Sequence, residues 1–304
     1  MDLAIVVVTW RSAADLRRLL ASIERHLGDG PEVIVVDNAS GDDPAAALRE
    51  WPGSSRFLQL GANLGFGVAN NRGVELATSE RVVLLNPDTD LVDDSLPALA
   101  QLAVRRHALA GPRVLNADGS PQPSASGSPV GAWPWVGALV PGALQPRPLR
   151  ARTEPWRLER TTPVSWLTGA CLAAPRELLR RLGPFDESIH LYGEDMDLGL
   201  RAARVGVASL FCPDVARVVH HGERSSEQRF RAGPTELIAA GRRRAVGSAY
   251  GPARERRAWR AQRLNLRLRA AAKGALGRDA SRERAALRAV RSEAPPDRQR
   301  RQNR

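Results

Sequence analysis

The sequence predicts an α/β fold in which a mostly parallel central sheet is flanked by helices. Three observations carry that expectation: short runs of consecutive apolar residues recur through the first third of the chain, amphipathic stretches separate them, and polar and acidic residues gather just after the runs. Continuous apolar strands bounded by helices mark a parallel sheet covered on both faces, and ligands of such sheets bind beyond the carboxyl ends of the strands.

Leu3–Val8 reads as the first buried strand. In Ala13–Arg25 the residues Leu16, Leu19, Leu20 and Ile23 recur at helical spacing, and Val33–Val36 closes a β-α-β unit. Pro44–Trp51 follows as a short helix, Arg56–Leu60 as a strand, Val68–Ala77 as a helix and Val82–Leu85 as another strand. From Asn116 to Pro163 the chain is broken by Pro121, Pro123, Pro129, Pro134, Pro141, Pro146, Pro148 and Pro155, so no long regular element fits. Such a segment in a compact domain is functional or disordered; its Trp133 and Trp135 suit a sugar-stacking wall or plain packing. Regular structure resumes at Val164–Ala173, continues as helices over Arg176–Leu182 and Met196–Val205, and ends in a strand at Val207–Phe211. Beyond Gly241 an Ala- and Arg-rich, helix-permissive stretch is interrupted at Pro252 and leads through Pro295-Pro296 to a frayed end. The expected organisation is one domain over residues 1–240, with halves 1–115 and 164–240 around a Pro/Gly-rich region at 116–163, and a helical to disordered basic tail at 241–304.

Composition narrows the function classes. With 304 residues, 43% hydrophobic and 26% charged, the chain is neither collagen-like nor wholly disordered. No apolar run approaches the roughly 18–20 residues of a membrane span, and the N-terminus enters a strand without a signal segment, so a cytoplasmic protein is expected. Cys171 and Cys212 cannot form a disulfide framework and lack metal-ligand spacing; both are expected to be reduced and buried. The net charge of +12 is uneven: residues 242–304 carry +15 and the remainder −3. A basic tail can bind nucleic acid or lie on an anionic membrane surface, where each cation contributes about 1 kcal/mol, or it can be a solvated appendage. The mildly acidic body argues against nucleic acid as the physiological partner. Lys273 is the only lysine, so arginine is a compositional habit here and no single Arg stands out.

The residues after the strands carry the chemistry. Asp88-Thr89-Asp90 follows a buried strand, and residues two apart in an extended segment can turn both carboxylates to one side. Mg²⁺ takes one or two carboxylates with phosphate oxygens and water, so this is a seat for a cation-bound diphosphate. Asp37, after the second strand, could accept hydrogen bonds from a base or ribose, or close an Asx turn as Asp42 could cap a helix. Gly61–Asn71 is a glycine-rich helix entry where backbone N–H groups can meet phosphate; it lacks the third glycine of a dinucleotide fingerprint, and no P-loop occurs. A second acidic cluster holds Asp186, Glu187, Glu194, Asp195 and Asp197, more acids than a helix start needs, with the apolar Trp166–Cys171 segment upstream to desolvate a general base. Of the pair His220-His221, His220 is taken as the functional imidazole, able to complete a cation site; His26, His107 and His190 read as surface or packing residues.

Taken in order, Val6–Trp10, Val35–Ser40, Asn63–Asn70, Leu85–Asp90, Trp166–Ala170, Tyr192–Leu198 and His220-x-Gly222 closely resemble family 2 glycosyltransferases, particularly their rhamnosyltransferase-like branch, over about residues 3–230. The resemblance implies a GT-A fold, with a Rossmann-like nucleotide-sugar half and an acceptor half, and inverting transfer from a nucleotide-sugar donor, here dTDP-rhamnose. The implied acceptor is a cell-surface glycan or lipid-linked precursor at the inner face of the cell membrane, and the implied cofactor is Mg²⁺ or Mn²⁺. By position it implies Asp195 as the base and Thr9, Asp37, Asn38, Asn63, Gly65, Asn70 and Asp88 on the donor side. Trp166, Thr168, Gly169 and Glu194 would face the acceptor, and Asp88, Asp90 and His220 the metal. Two departures, Ile189-His190-Leu191 before Tyr192 and Thr168 where Ser is frequent, lie on the expected acceptor side. Two rival readings are a nucleotidyltransferase of similar topology, which would want a Gly-rich basic loop where Thr9-Trp10-Arg11 stands, and a nucleic-acid-binding protein acting through its tail.

Overall fold

The computed structural model describes residues 2–140, 144–189, 191–222 and 235–290, without the side chains of 235–237 and 282. Pro141, His190 and the segment around Pro295-Pro296 lie outside the described residues.

The first half follows the expected order: β1 (Ala4–Thr9), α1 (Ala13–Leu27), β2 (Glu32–Asp37), α2 (Pro44–Arg49), β3 (Ser55–Gln59), α3 (Phe66–Leu76) and β4 (Arg81–Leu85). The strands pair in parallel as β3-β2-β1-β4, with Thr9 beside Asp37, so their carboxyl ends share one edge. The period of two explains the continuous apolar runs. Ile5, Val7, Val33 and Val35 pack with Leu16, Leu19 and Ile23 of α1, whereas Ala4, Val6 and Ile34 pack with Val74 of α3 on the opposite face. With both faces covered, neither set can be polar.

The second half adds β5 (Thr89–Leu91), α4 (Leu96–Arg106), β6 (Leu109–Leu115), β7 (Ala125–Ser126), α5 (Trp133–Leu139), α6 (Arg147–Thr153), β8 (Thr162–Val164), β9 (Trp166–Leu167), β10 (Cys171–Pro175), α7 (Arg176–Leu182), α8 (Glu194–Arg204) and β11 (Ser209–His220). The sheet continues β4-β10-β6-β11-β5, with β8 on the side of β11; β10 runs antiparallel to β4 and β6, and β11 parallel to β6. Among the described residues of 116–163 no helix exceeds seven residues, as the proline density dictates. β11 is longer than the expected Val207–Phe211 strand. Its register shifts between Cys212 and Arg217, which carries Pro213-Asp214 as an irregularity and brings His220 beside Thr89 of β5. Cys171 and Cys212 are free and buried, and burial pushes both thiols up, Cys212 to about 11.

The C-terminal part is docked. Helices α9 (Thr235–Tyr250), α10 (Pro252–Ala275) and α11 (Ser281–Ala289) follow, and α9 runs unbroken through position 240, so the domain limit expected there falls inside a helix. Ala245 and Val246 of α9 join Trp166, Met196 and Leu200 in one apolar cluster, while Ala239, Leu266, Ala289 and Val290 tie α9, α10 and the end of α11 together. A solvated appendage would bury none of these. No helix among the described residues is long and apolar enough to cross a membrane.

The contact between α9 and α8 depends on two glycines. Gly193 has φ 98°, where side chains are strained, and a Cβ on Gly241 would stand 1.8 Å from the carbonyl oxygen of Tyr192. Gly241→Ala is therefore expected to cost about 1–3 kcal/mol, with a fall in Tm of about 2–4 °C for each kcal/mol. Gly274→Ala, in a helix with open space at the Cβ position, should not lower Tm. Thermal unfolding followed by circular dichroism checks the pair.

Candidate active site

A cavity of about 380 Å³ opens at the carboxyl ends of the parallel strands. One wall is made by Val8 and Trp10 at the end of β1, Asn38 after β2, and Asn63 and Gly65 at the entry to α3. The two asparagines lock the glycine-rich turn: Asn38 Nδ2 donates to Asn63 Oδ1 (3.0 Å), and the backbone N–H groups of Leu64 and Gly65 donate to Asn38 Oδ1 and Asn63 Oδ1 (2.8 and 3.1 Å). Three residues expected on the donor side do not line the cavity. Asp37 is buried and accepts from Thr9 Oγ1 (2.9 Å), Gln59 Nε2 (2.6 Å), Ser40 N (3.0 Å) and Ser40 Oγ; it braces the strand ends and keeps no free oxygen for a nucleoside. Thr9 is fully buried in that brace, and the amide of Asn70 turns back to the Phe66 carbonyl (3.0 Å).

The opposite end holds Asp88 and His220. The antiparallel pairing of β11 with β5 sets His220 so that its Nε2 lies 3.2 Å from Asp88 Oδ1 and 3.3 Å from Asn86 Nδ2. The ring's orientation follows from its neighbour. Gln122 Nε2 donates to the His220 carbonyl (2.6 Å), which turns Gln122 Oε1 toward Nδ1 at 3.1 Å, so Nδ1 faces Gln122 and Nε2 faces Asp88. Burial would raise the Asp88 carboxyl, but the His220 hydrogen bond, the His220 and Arg18 charges and a backbone hydrogen bond outweigh it and hold the group below the usual carboxylate range. Among the described residues there is no group of three or more His, Cys, Asp or Glu able to hold a metal. Asp88 and His220 would be the protein's share of a cation site here, a donor set that fits Mg²⁺ or Mn²⁺ completed by phosphate oxygens and water.

Asp90 is not part of this pair. Its carboxylate accepts from Arg18 Nε (3.0 Å), lies 2.7 Å from His221 Nε2, and lines a separate cavity beside α1. Asp88 precedes β5 in the turn from β4 and only Asp90 lies within the strand, so the alternation of an extended segment does not relate the two.

The second acidic cluster is divided by its partners. Asp186 caps the turn at Ser188, Glu187 meets Asn71 (3.1 Å), and Asp197 pairs with Arg201 (2.6 Å). Glu194 and Asp195 remain, lining the cavity with Thr168 and Gly169. Asp195 accepts from the N–H groups of Gly169 (3.2 Å) and Met196 (2.7 Å). Burial raises its carboxyl, against the Met196 hydrogen bond and the Arg242 charge. Glu194 Oε2 has no hydrogen-bond partner, and burial with the Asp195 charge pushes this group up to about 8. Carboxylates held above their ordinary range have the proton affinity a general base needs. Trp166 is buried and faces a neighbouring cavity instead. Gln122 and Arg242 were missed from the sequence: Gln122 sits in the proline-rich region with no local pattern, and Arg242 is one of twenty cations in its stretch.

A folded-state carboxyl raised above its unfolded value gives stability that is present at low pH and lost as pH rises through the raised value. Tm is accordingly expected to fall between pH 5 and pH 8. Glu194→Gln should shrink that fall by about 3 °C while changing Tm little at pH 5, read by calorimetry at both pH values.

Residues 4–169 match the family model of glycosyl transferase family 2. The chain is 35% identical over 242 residues, 74% of its length and 77% of the relative's, to an N-acetylglucosaminyl-diphospho-decaprenol L-rhamnosyltransferase of Mycobacterium tuberculosis. Among solved structures it resembles the mannosyltransferase PcManGT of Pyrobaculum calidifontis in complex with GDP-Man and Mn²⁺, at TM-score 0.58 and 20% identity over 98% of this chain and 82% of that one. It also resembles GalNAc-T7 with UDP, GalNAc and Mn²⁺, at TM-score 0.55 and 19% identity over 72% of this chain and 42% of that one.

Proposed function

From the premise that the chain belongs to glycosyl transferase family 2, and is a glycosyltransferase of GT-A fold, we propose that it is an inverting, cation-dependent rhamnosyltransferase. Its donor is dTDP-rhamnose and its acceptor a sugar linked through diphosphate to a polyprenyl lipid, a reading supported by the similarity to the mycobacterial rhamnosyltransferase. The family match displaces the nucleotidyltransferase reading, and the docked C-terminal helices leave a nucleic-acid role without support.

The observation that carries the mechanism is the placement of Asp88 with His220 and of Asp195 on one cavity. Asn38 and Asn63, which lock the glycine-rich turn, shape the wall on which the nucleotide rests. Asp88 and His220 would hold the cation, which when bound supplies positive charge against the departing diphosphate. Asp195, fixed by the Gly169 N–H, takes the proton of the acceptor hydroxyl, whose oxygen attacks the anomeric carbon on the face away from the diphosphate. One carboxylate acting in one displacement inverts the configuration. The basic C-terminal helices would hold the enzyme at the anionic inner face of the membrane. Hydrolysis of a nucleotide-sugar panel with Mn²⁺ or Mg²⁺ tests the reading: dTDP-rhamnose is expected to turn over fastest and EDTA to abolish it. Preference for another nucleotide sugar, or turnover in EDTA, counts against it.

A further inference from the structure

A second cavity, of about 470 Å³, lies behind the acceptor wall of the first, between α5, α8 and the C-terminal helices. The two meet at consecutive residues, Asp195 lining the first and Met196 the second. The volume is that of a small-molecule pocket. Its lining is aromatic and apolar, with Trp133 from α5, Trp166 and Met196 from the catalytic side, and Trp259 and Leu266 from α10.

Set into that lining are guanidinium groups. Arg152 lies over Trp133 (5.7 Å), Arg243 over Trp259 (5.2 Å) and Arg242 over Trp166 (5.6 Å). Arg243 is neutralised by Glu255 at 2.5 Å. Arg242 is accessible to solvent within the cavity, and among the described residues no carboxylate stands within ion-pair distance of it, although its charge reaches Asp195. A cation lying over an aromatic ring in an apolar cavity and left without an ion-paired carboxylate is placed to take an anion, and a guanidinium matches a phosphate in two-point geometry. The clamp of Gly241 against Tyr192 and Gly193 fixes the backbone that carries it.

Resting on the acceptor class proposed above, we propose that the second cavity is the subsite for the phosphorylated lipid end of the acceptor: its phosphate binds Arg242 and the first apolar units of its chain lie against Trp133, Trp166, Met196 and Trp259. The order of groups in such an acceptor matches the order in the protein. The reacting hydroxyl meets Asp195, the phosphate one sugar ring away meets Arg242, and the chain passes into the tryptophan-lined space.

Tryptophan fluorescence of the full chain titrated with farnesyl diphosphate tests this without donor and without turnover. The titration is made in EDTA, which removes cation-dependent binding at Asp88 and His220, and at concentrations below micelle formation. Wild type is expected to show saturable quenching. Arg242→Gln should weaken it at least tenfold with partial recovery in Arg242→Lys, and Trp133→Ala, which leaves the α8–α9 contact intact, at least fivefold. Inorganic pyrophosphate should compete at least a hundredfold less effectively than farnesyl diphosphate. No binding by wild type, equal binding by Arg242→Gln and wild type, or competition by pyrophosphate as strong as by farnesyl diphosphate would overturn the proposal. Binding as expected without rhamnose transfer to any diphosphate-linked acceptor would instead overturn the function proposed above and leave this subsite standing.

Discussion

Asp195→Asn is expected to retain donor and cation affinity within about threefold while sugar transfer falls by about 10²–10⁴, the contribution of a positioned general base. The carboxamide keeps the shape of the side chain, and its single oxygen can keep one of the two N–H contacts, which fall on different oxygens of Asp195, so the wall of the cavity should hold. What it loses is the basic oxygen. The neighbouring Glu194 is not expected to substitute, because burial, the larger cause of its raised carboxyl, persists in the variant, and its Oε2 has no hydrogen-bond partner to hold it toward the acceptor. Calorimetric titration of donor with Mn²⁺, set beside single-turnover transfer, separates the two effects. Transfer at the wild-type rate would move the base elsewhere, and parallel loss of donor binding would make Asp195 a structural residue.

Asp88→Ala and Asp90→Ala are expected to behave differently although they are two residues apart. Asp88 stands at the cavity with His220, so its removal should lower cation-dependent donor affinity by at least about a hundredfold, the loss of a charge-assisted contact to a cation. Asp90 bonds Arg18 and His221 outside that cavity. Its removal frees two partly exposed partners and should cost about 1 kcal/mol of stability with cation affinity preserved. The pair of variants is read by Mn²⁺ titration and thermal unfolding together. Equal loss of cation affinity in both would return Asp90 to the metal site.

That contrast shows where sequence reading reached its limit. The parallel half of the sheet was legible because burial on both faces forces apolar residues at every position, so the strands from Ala4 to Leu85 fell close to their expected limits. The order of motifs identified the family for a related reason: several of them, at Thr9, Asp37, Asn86 and His220, sit at strand ends whose position topology fixes. Side-chain direction was less legible. Asp37 looks like a ligand contact but is consumed by Thr9, Ser40 and Gln59, and nothing local distinguishes a carboxylate that braces a turn from one that binds a nucleoside. Asp90 misled because a two-residue spacing carries meaning only within a strand, and the strand starts after Asp88. The C-terminal helices misled by composition: their arginines hid the few apolar residues, Ala245, Val246 and Leu266, that dock them, and with these Arg242. Gln122, which meets the His220 ring and carbonyl from 98 residues away, depends wholly on tertiary structure.

The cation site is the hinge of the proposed chemistry, and pulsed electron paramagnetic resonance of Mn²⁺ bound with dTDP to protein carrying ¹⁵N-labelled histidine examines it directly. A ¹⁵N coupling from one imidazole is expected in wild type, absent in His220→Gln and retained in both His221→Gln and Asp90→Ala. A wild-type spectrum without histidine coupling, or a coupling that survives His220→Gln, would contradict the assignment of Asp88 and His220 as the residues that hold the metal.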